Sequence, residues 1–246
     1  MTAELYPVPA EFAANARINR DEYQRLYAQS IQDPDTFWMQ QAARLDWMRA
    51  PKQGKDVSFN LDDFHIRWFA DGQLNVSVNC LDRHLATRGD KTALIFEPDD
   101  IDAPAQHISY RQLHVRVCHL ANALRALGIA KGDRVTIYLP MIPDAAVAML
   151  ACARIGAVHT VVFGGFAAHS IADRISDSES KLIITADEGL RGSKRVPLKA
   201  NVDAALAMPG TDSVETVLVV RHTGGAVDMQ MPRDRWFDAV VDGQPD

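Results

Sequence analysis

Between Ser109 and Val220 the chain alternates short apolar runs with longer stretches of helical periodicity, and this alternation narrows the folds open to it more than any other feature. Ser109 and Gln112 stand at capping-box spacing. Behind them Leu113, Val117, Leu120, Leu124 and Leu127 recur at intervals of four, three, four and three, and Gly128 follows as a stop. "GDRVTIYLP" then predicts a strand at about 135 to 139, and a helix is predicted from Pro143 to Gly156. "AVHTVVF", "KLIIT" and "ETVLVV" predict three more strands, separated by helices over about 168 to 178 and 198 to 207. Strands joined by helical crossovers run parallel, so the expected fold class is α/β, an open, mostly parallel sheet with flanking helices.

The first hundred residues have no such order. Asn19 and Glu22 resemble a capping box ahead of Tyr23, Leu26, Tyr27 and Ile31, and Asp33 followed by Pro34 opens a second helix through Phe37, Trp38, Leu45 and Trp47. "LNVSVN" alternates like a half-buried strand and is expected to lead into a helix near Leu81. "EPDDIDAP" at 97 to 104 concentrates acids and prolines and reads as a hairpin tip or loop rather than an acid–base pair. Two regions are therefore expected, an N-terminal helical and extended segment over 1–105 and an α/β subdomain over 106–246.

A net charge of −6 argues against a general nucleic-acid binder, which needs net positive surface, so any anionic ligand must be met by a local cluster. Cys80, Cys118 and Cys152 form no CxxC pair and are expected to be reduced, buried thiols. The opening "MTAELYPVPAEF" shows no secretory signal, and the apolar stretch from 145 to 168 is interrupted by Arg154, Gly156 and His159, so a cytoplasmic protein with no membrane partner is expected.

In an open α/β sheet, ligands bind at the carboxyl ends of the strands. Two loops have that position: "FGGF" at 163 to 166, and "ADEGLRGSKR" at 186 to 195, where Arg191, Lys194 and Arg195 can offer donors to phosphate oxygens while Gly189 and Gly192 keep the loop open. Neither GxGxxG nor GxxxxGK[ST] occurs, which removes the motif an NAD-type oxidoreductase requires, and HExxH, GxSxG and close Cys/His groupings are absent too. His114 and His119 are five apart where facing ligands want three or four. The residues alone thus lead to an α/β domain with a candidate anion loop and no metal site.

Four stretches are more specific: "WFADGQLNVSVNCLDRH" at 68 to 84, the run from "GDRVTIYLP" to "VVFGGF" at 132 to 166, "ADEGLRGSKRVPLKANVDAAL" at 186 to 206, and "VLVVRHTGG" at 217 to 225. With them the chain resembles the N-terminal portion of the acetyl-coenzyme A synthetase family, the AMP-forming acetate–CoA ligases of the adenylate-forming superfamily. The resemblance implies the first part of that superfamily's large N-terminal domain. It also implies a two-step reaction in which acetate and ATP give acetyl-AMP and diphosphate, and the CoA thiol then displaces AMP. CoA is the ligand it assigns to this stretch: Arg191, Gly192, Ser193 and Lys194 match the loop that meets the 3′-phosphate ADP end, and Phe163, Gly164 and Gly165 match the loop lining the CoA path. Position 194 is Lys where many members carry Arg, which replaces a bidentate contact with a point charge. No TSGSTGxPKG run occurs, and "RHTGGAVD" does not match it. The sites for ATP and Mg, the acetate pocket and the adenylation lysine are therefore expected to lie outside these residues, with no catalytic residue among them. On this reading the chain is a catalytically incomplete portion whose partners are small molecules (acetate, ATP and CoA). Self-association through an exposed sheet edge is expected as well. A non-enzymatic CoA-binding or partner-binding module and a portion of a propionyl-CoA synthetase are the alternatives.

Overall fold

A computed structural model describes residues 6–192 and 194–246. The chain divides into two compact units, Met1–Leu74 and Asn75–Asp246.

In the first unit, helices α1 (Ala10–Asn15), α2 (Arg20–Gln32) and α3 (Pro34–Ala42) precede an antiparallel pair, β1 (Lys55–Ser58) and β2 (His65–Trp68), in the register Lys55↔Trp68 to Ser58↔His65. Asn19 caps α2 by accepting from the Glu22 amide, and Asp33 caps α3 with Pro34 in its first turn, as the residue order predicts.

The second unit opens with a departure from that reading. "LNVSVN" is not a strand: Val76–Cys80 forms a short helix, α4. Asn75 decides the matter, because its side chain accepts from the Val78 amide while its Nδ2 donates to the Ala153 and Arg154 carbonyls at 3.2 and 2.9 Å. One side chain thus caps two helix ends. A 3₁₀ turn over Asp82–His84 and helix α5 (Leu85–Arg88) follow, and then the antiparallel hairpin β3 (Thr92–Phe96) and β4 (Gln106–Ser109), whose tip is the acidic 97–104 loop. The division after Leu74 falls earlier than the 105/106 boundary read from the sequence. The segment 75–105 is tied to the α/β unit by Asn75 and by the bidentate Arg154–Asp82 pair at 2.8 and 2.9 Å.

From Ser109 the alternation is realised nearly residue for residue. Helix α6 (Tyr110–Ala126) starts on a complete Ser109/Gln112 capping box and buries Leu113, Val117, Leu120 and Leu124. Strand β5 (Arg134–Tyr138), α7 (Pro143–Ile155), β6 (Val158–Val161), α8 (Ala168–Ser178), β7 (Leu182–Ala186), a small antiparallel hairpin of β8 (Gly189–Arg191) and β9 (Lys194–Val196), α9 (Leu198–Leu206), β10 (Thr216–Val220), β11 (Asp234–Trp236) and α10 (Phe237–Val241) complete the unit. The main sheet has the order β11-β10-β7-β5-β6 with every pairing parallel. Every residue of β7 is buried, as a β-branched run covered on both faces should be.

Candidate functional site

The strand order is doubly wound: β6 is added on one side of β5, and the chain then crosses to the other side to place β7, β10 and β11 in succession. The reversal lies between β5 and β7, and the crevice at the carboxyl ends of those two strands is where such sheets take ligands. The "FGGF" loop after β6 and the β8–β9 hairpin after β7 both leave the sheet at that end.

Tyr138, the last residue of β5, builds the first of these loops. Its ring is fully buried, and its hydroxyl donates to the Phe166 carbonyl at 2.8 Å while accepting from Asn201 Nδ2 of α9 at 3.2 Å. Burial pushes the hydroxyl's pKa up, against the pull of Asn201, so it remains a donor. The loop folds tightly over this anchor. A Cβ on Gly164 would stand 3.3 Å from the Leu139 carbonyl oxygen, and one on Gly165 would stand 2.7 Å from the Phe163 ring. The rings of Phe163 and Phe166 meet edge to face at 5.9 Å, leaving Phe163 55% exposed.

The second segment is a hairpin rather than the open loop expected from its glycines. Arg191 and Lys194 are direct cross-strand partners, and Gly192 at φ +58° makes the turn, a conformation in which a side chain would be strained. Ser193 lies outside the described residues. The hairpin brings the two predicted segments together, because the Arg191 guanidinium carbon lies 5.9 Å from the centroid of the Phe163 ring. Both cations are exposed, and among the described residues neither has a carboxylate within ion-pair distance. Arg195, the third cation of the segment, is spent elsewhere: its Nη1 donates to Glu188 Oε2 at 2.6 Å.

Glu188 and its neighbour position these loops, and the sequence reading did not single them out. The buried Asp187 carboxylate, just past β7, accepts from the amides of Glu188, His222, Thr223 and Gly224, gathering the loop after β10 against the end of β7. Glu188 accepts from the Thr223 hydroxyl at 2.6 Å as well as from Arg195, and these two donors hold its carboxyl below the ordinary range. The hairpin is thereby moored to the 222–224 loop. The only sign of this in the sequence is the position of "DE" at the carboxyl end of a buried run. At the tip of β3–β4, Asp99 Oδ1 accepts from the Gly192 amide at 3.2 Å, and a cavity of about 380 Å³ bounded by Asp99, Pro140, Ile142, Leu190 and His222 lies alongside.

A wider cleft of about 690 Å³ is bordered by Gly128, Lys131 and Ile155, at the amino ends of the strands and so away from this crevice. His114 and His119 share no ligand site: His114 Nε2 lies 3.3 Å from Arg154 and 3.6 Å from Cys118 Sγ, and His119 faces Asp246. Among the described residues no three His, Cys, Asp or Glu side chains are placed to hold a metal, and no helix is long and apolar enough to cross a membrane.

The family model described as "AMP-binding enzyme" matches residues 81–240, and that described as "Acetyl-coenzyme A synthetase N-terminus" matches 23–80. The acetyl-coenzyme A synthetase of Xanthomonas campestris is 73% identical over 99% of this chain, and that of Xylella fastidiosa is 65% identical over 98%. The chain spans 38% and 37% of the lengths of these two relatives. Among solved structures, an acetoacetyl-CoA synthetase from Streptomyces lividans superposes with a TM-score of 0.79 at 25% identity, covering 96% of this chain and 35% of its own.

Proposed function

The chain belongs to the AMP-binding enzyme family and carries the acetyl-coenzyme A synthetase N-terminus ahead of that match, and from this premise we propose that it supplies the CoA nucleotide seat of an AMP-forming acetate–CoA ligase. The observation that carries the proposal is the meeting of Arg191 with Phe163. Two loops separated by a whole strand–helix unit converge at the crevice, one bringing cations and the other an exposed aromatic face.

The chemistry fits a nucleotide that ends in a phosphate. Arg191 offers a planar fork, Lys194 a point charge across the hairpin, and the Gly192 amide, which donates to Asp99 at the turn, a backbone N–H, so a 3′-phosphate has three donors of complementary type. Phe163, with Phe166 at right angles behind it, offers a flat apolar face for the adenine, and Tyr138 fixes the height of that platform through the Phe166 carbonyl. In the complete reaction, acetate and ATP form acetyl-AMP and diphosphate, and the CoA thiol held by this seat displaces AMP. Residues 1–246 contain no TSGSTGxPKG run, so the role of this stretch is to bind and orient CoA rather than to clamp the transferring phosphoryl group.

Isothermal titration with CoA and with dephospho-CoA tests the reading. A charge-assisted contact contributes about 1.5–3 kcal/mol, so CoA should bind on the order of tenfold or more tighter than dephospho-CoA. The double variant Arg191→Ala, Lys194→Ala should remove most of that difference, leaving only what the Gly192 amide supplies. Equal affinity for both ligands in the unsubstituted chain would refute the assignment.

A further inference from the structure

The acidic tip of the β3–β4 hairpin has no part in the seat just described, yet one of its carboxylates reaches into it. Asp100 is committed to the tip's own turn: its Oδ1 accepts from the Asp102 amide, and its carbonyl accepts from Ala103. Asp99 is turned the other way, onto the Gly192 amide. That amide sits at the turn between the paired Arg191 and Lys194, so the Asp99 carboxylate occupies the backbone donor on which a phosphate oxygen would settle. We propose that Asp99 is an internal competitor for the phosphate position of the hairpin, holding the Gly192 N–H when no ligand is bound and giving it up to the 3′-phosphate of CoA. The proposal rests on the CoA reading above and adds to it a residue that sets how strongly the 3′-phosphate is preferred.

The physical argument is one of exclusion. Two anions cannot share one N–H, and at a distance of about 3–4 Å two like charges repel even where solvent reaches them. Binding a phosphate therefore requires the 97–104 tip to withdraw, and the affinity measured is the intrinsic one reduced by the share of molecules in which Asp99 is seated. Asp99 is exposed, so replacing it costs the fold little, and the effect of a substitution is confined to ligands that carry the 3′-phosphate.

The test compares Asp99→Asn with Asp100→Asn, a neighbour of equal charge that does not touch the hairpin. The readout is the ratio of the dephospho-CoA and CoA dissociation constants in calorimetric titration. Asp99→Asn should raise that ratio several-fold, on the order of tenfold, by tightening CoA alone, while Asp100→Asn leaves it within about twofold. The Gly192 amide resonance should also shift in unliganded Asp99→Asn, whose neutral amide oxygen is a weaker acceptor than the carboxylate, and in the unsubstituted chain on adding CoA, where the phosphate takes the place of Asp99. Equal effects of the two variants would reduce the result to through-space charge and overturn the competition. A ratio unmoved by Asp99→Asn in a chain that does discriminate would overturn the role of Asp99 while leaving the CoA seat standing. If the unsubstituted chain fails to discriminate at all, both readings fall.

Discussion

Replacing Lys199 by Met should destabilise the α/β unit by about 3 kcal/mol at neutral pH. The Lys199 side chain is 1% exposed, and its Nζ lies 2.7 Å from Asp203 Oδ2, 2.7 Å from Asp234 Oδ2 and 2.9 Å from the Asp228 carbonyl. Arg233 completes the cluster, contacting Asp234 at 2.6 Å and Asp203 at 2.8 Å, so two cations face two carboxylates. Methionine fills the volume of the lysine stem but leaves one cation for two anions, one of them fully buried. Breaking a buried pair costs roughly 3–5 kcal/mol, and the lower end applies because Arg233 and the Gln230 amide remain on Asp234. For a chain of this size the loss should lower the melting temperature by roughly 6–12 °C. The pH dependence is the sharper signature. Burial pushes the Asp234 carboxyl up, but the hydrogen bonds from Arg233 and Lys199 outweigh it and leave the group below the ordinary range. A depressed folded pKa contributes stability that is present above the unfolded value near 3.9 and is lost as pH falls through the folded value. In the Met variant Asp234 has lost one of the partners that depress it, so its contribution shrinks and the deficit relative to the parent narrows as pH falls below about 4. Urea melts of parent and variant between pH 7 and pH 3 would measure this. A deficit under about 1 kcal/mol, or one that does not change with pH, would refute the reasoning.

Asn75→Ala removes the cap of α4 and the two donors to the end of α7 together, and should cost about 1–3 kcal/mol in a thermal or urea melt; a loss under half a kilocalorie would mean that the two carbonyls and the Val78 amide find water instead. The three cysteines should react in two classes. Burial holds the Cys152 thiol at about 12 and pushes Cys118 up, whereas Cys80 is exposed, so a thiol reagent at about pH 8 should titrate Cys80 rapidly and the others only after denaturation. A second fast thiol in the native chain would contradict that burial.

What could be read from the residues alone was whatever depends on neighbours within one turn of the chain. The Ser109/Gln112 cap, the leucine spacing of α6, the Pro143 start of α7 and the apolar runs of β7 and β10 are local signals, and each gives the element it predicts. "LNVSVN" misled because six residues of alternation suit either state, and the deciding hydrogen bonds come from the far end of α7. Strands β8, β9 and β11 are three residues each, too short for a period to show, and β11 begins with an aspartate that only the Lys199–Arg233 cluster allows inside. β11, which the sequence reading did not find, covers β10, so the sheet edges are β11 and β6. At the site, "FGGF" and "RGSK" were visible as candidate loops, and the family resemblance attached CoA to them. That Arg195 turns away to Glu188, and that Tyr138 and Asp187 hold the two loops in place, depends on which strand ends meet at the crevice, and this is settled by topology.

The strand order also bears on the chain's synthesis. β6 pairs with β5 as soon as both have emerged, but the other edge of β5 waits for β7, and about 44 residues separate Tyr138 from Leu182. At roughly 5–20 residues per second, that edge stands unpaired for about 2–9 s on the ribosome. After that the sheet grows in one direction only, β10 docking on β7 and β11 on β10. A pause in translation between α7 and β7 would prolong the stage at which the free edge of β5 can pair with the wrong neighbour.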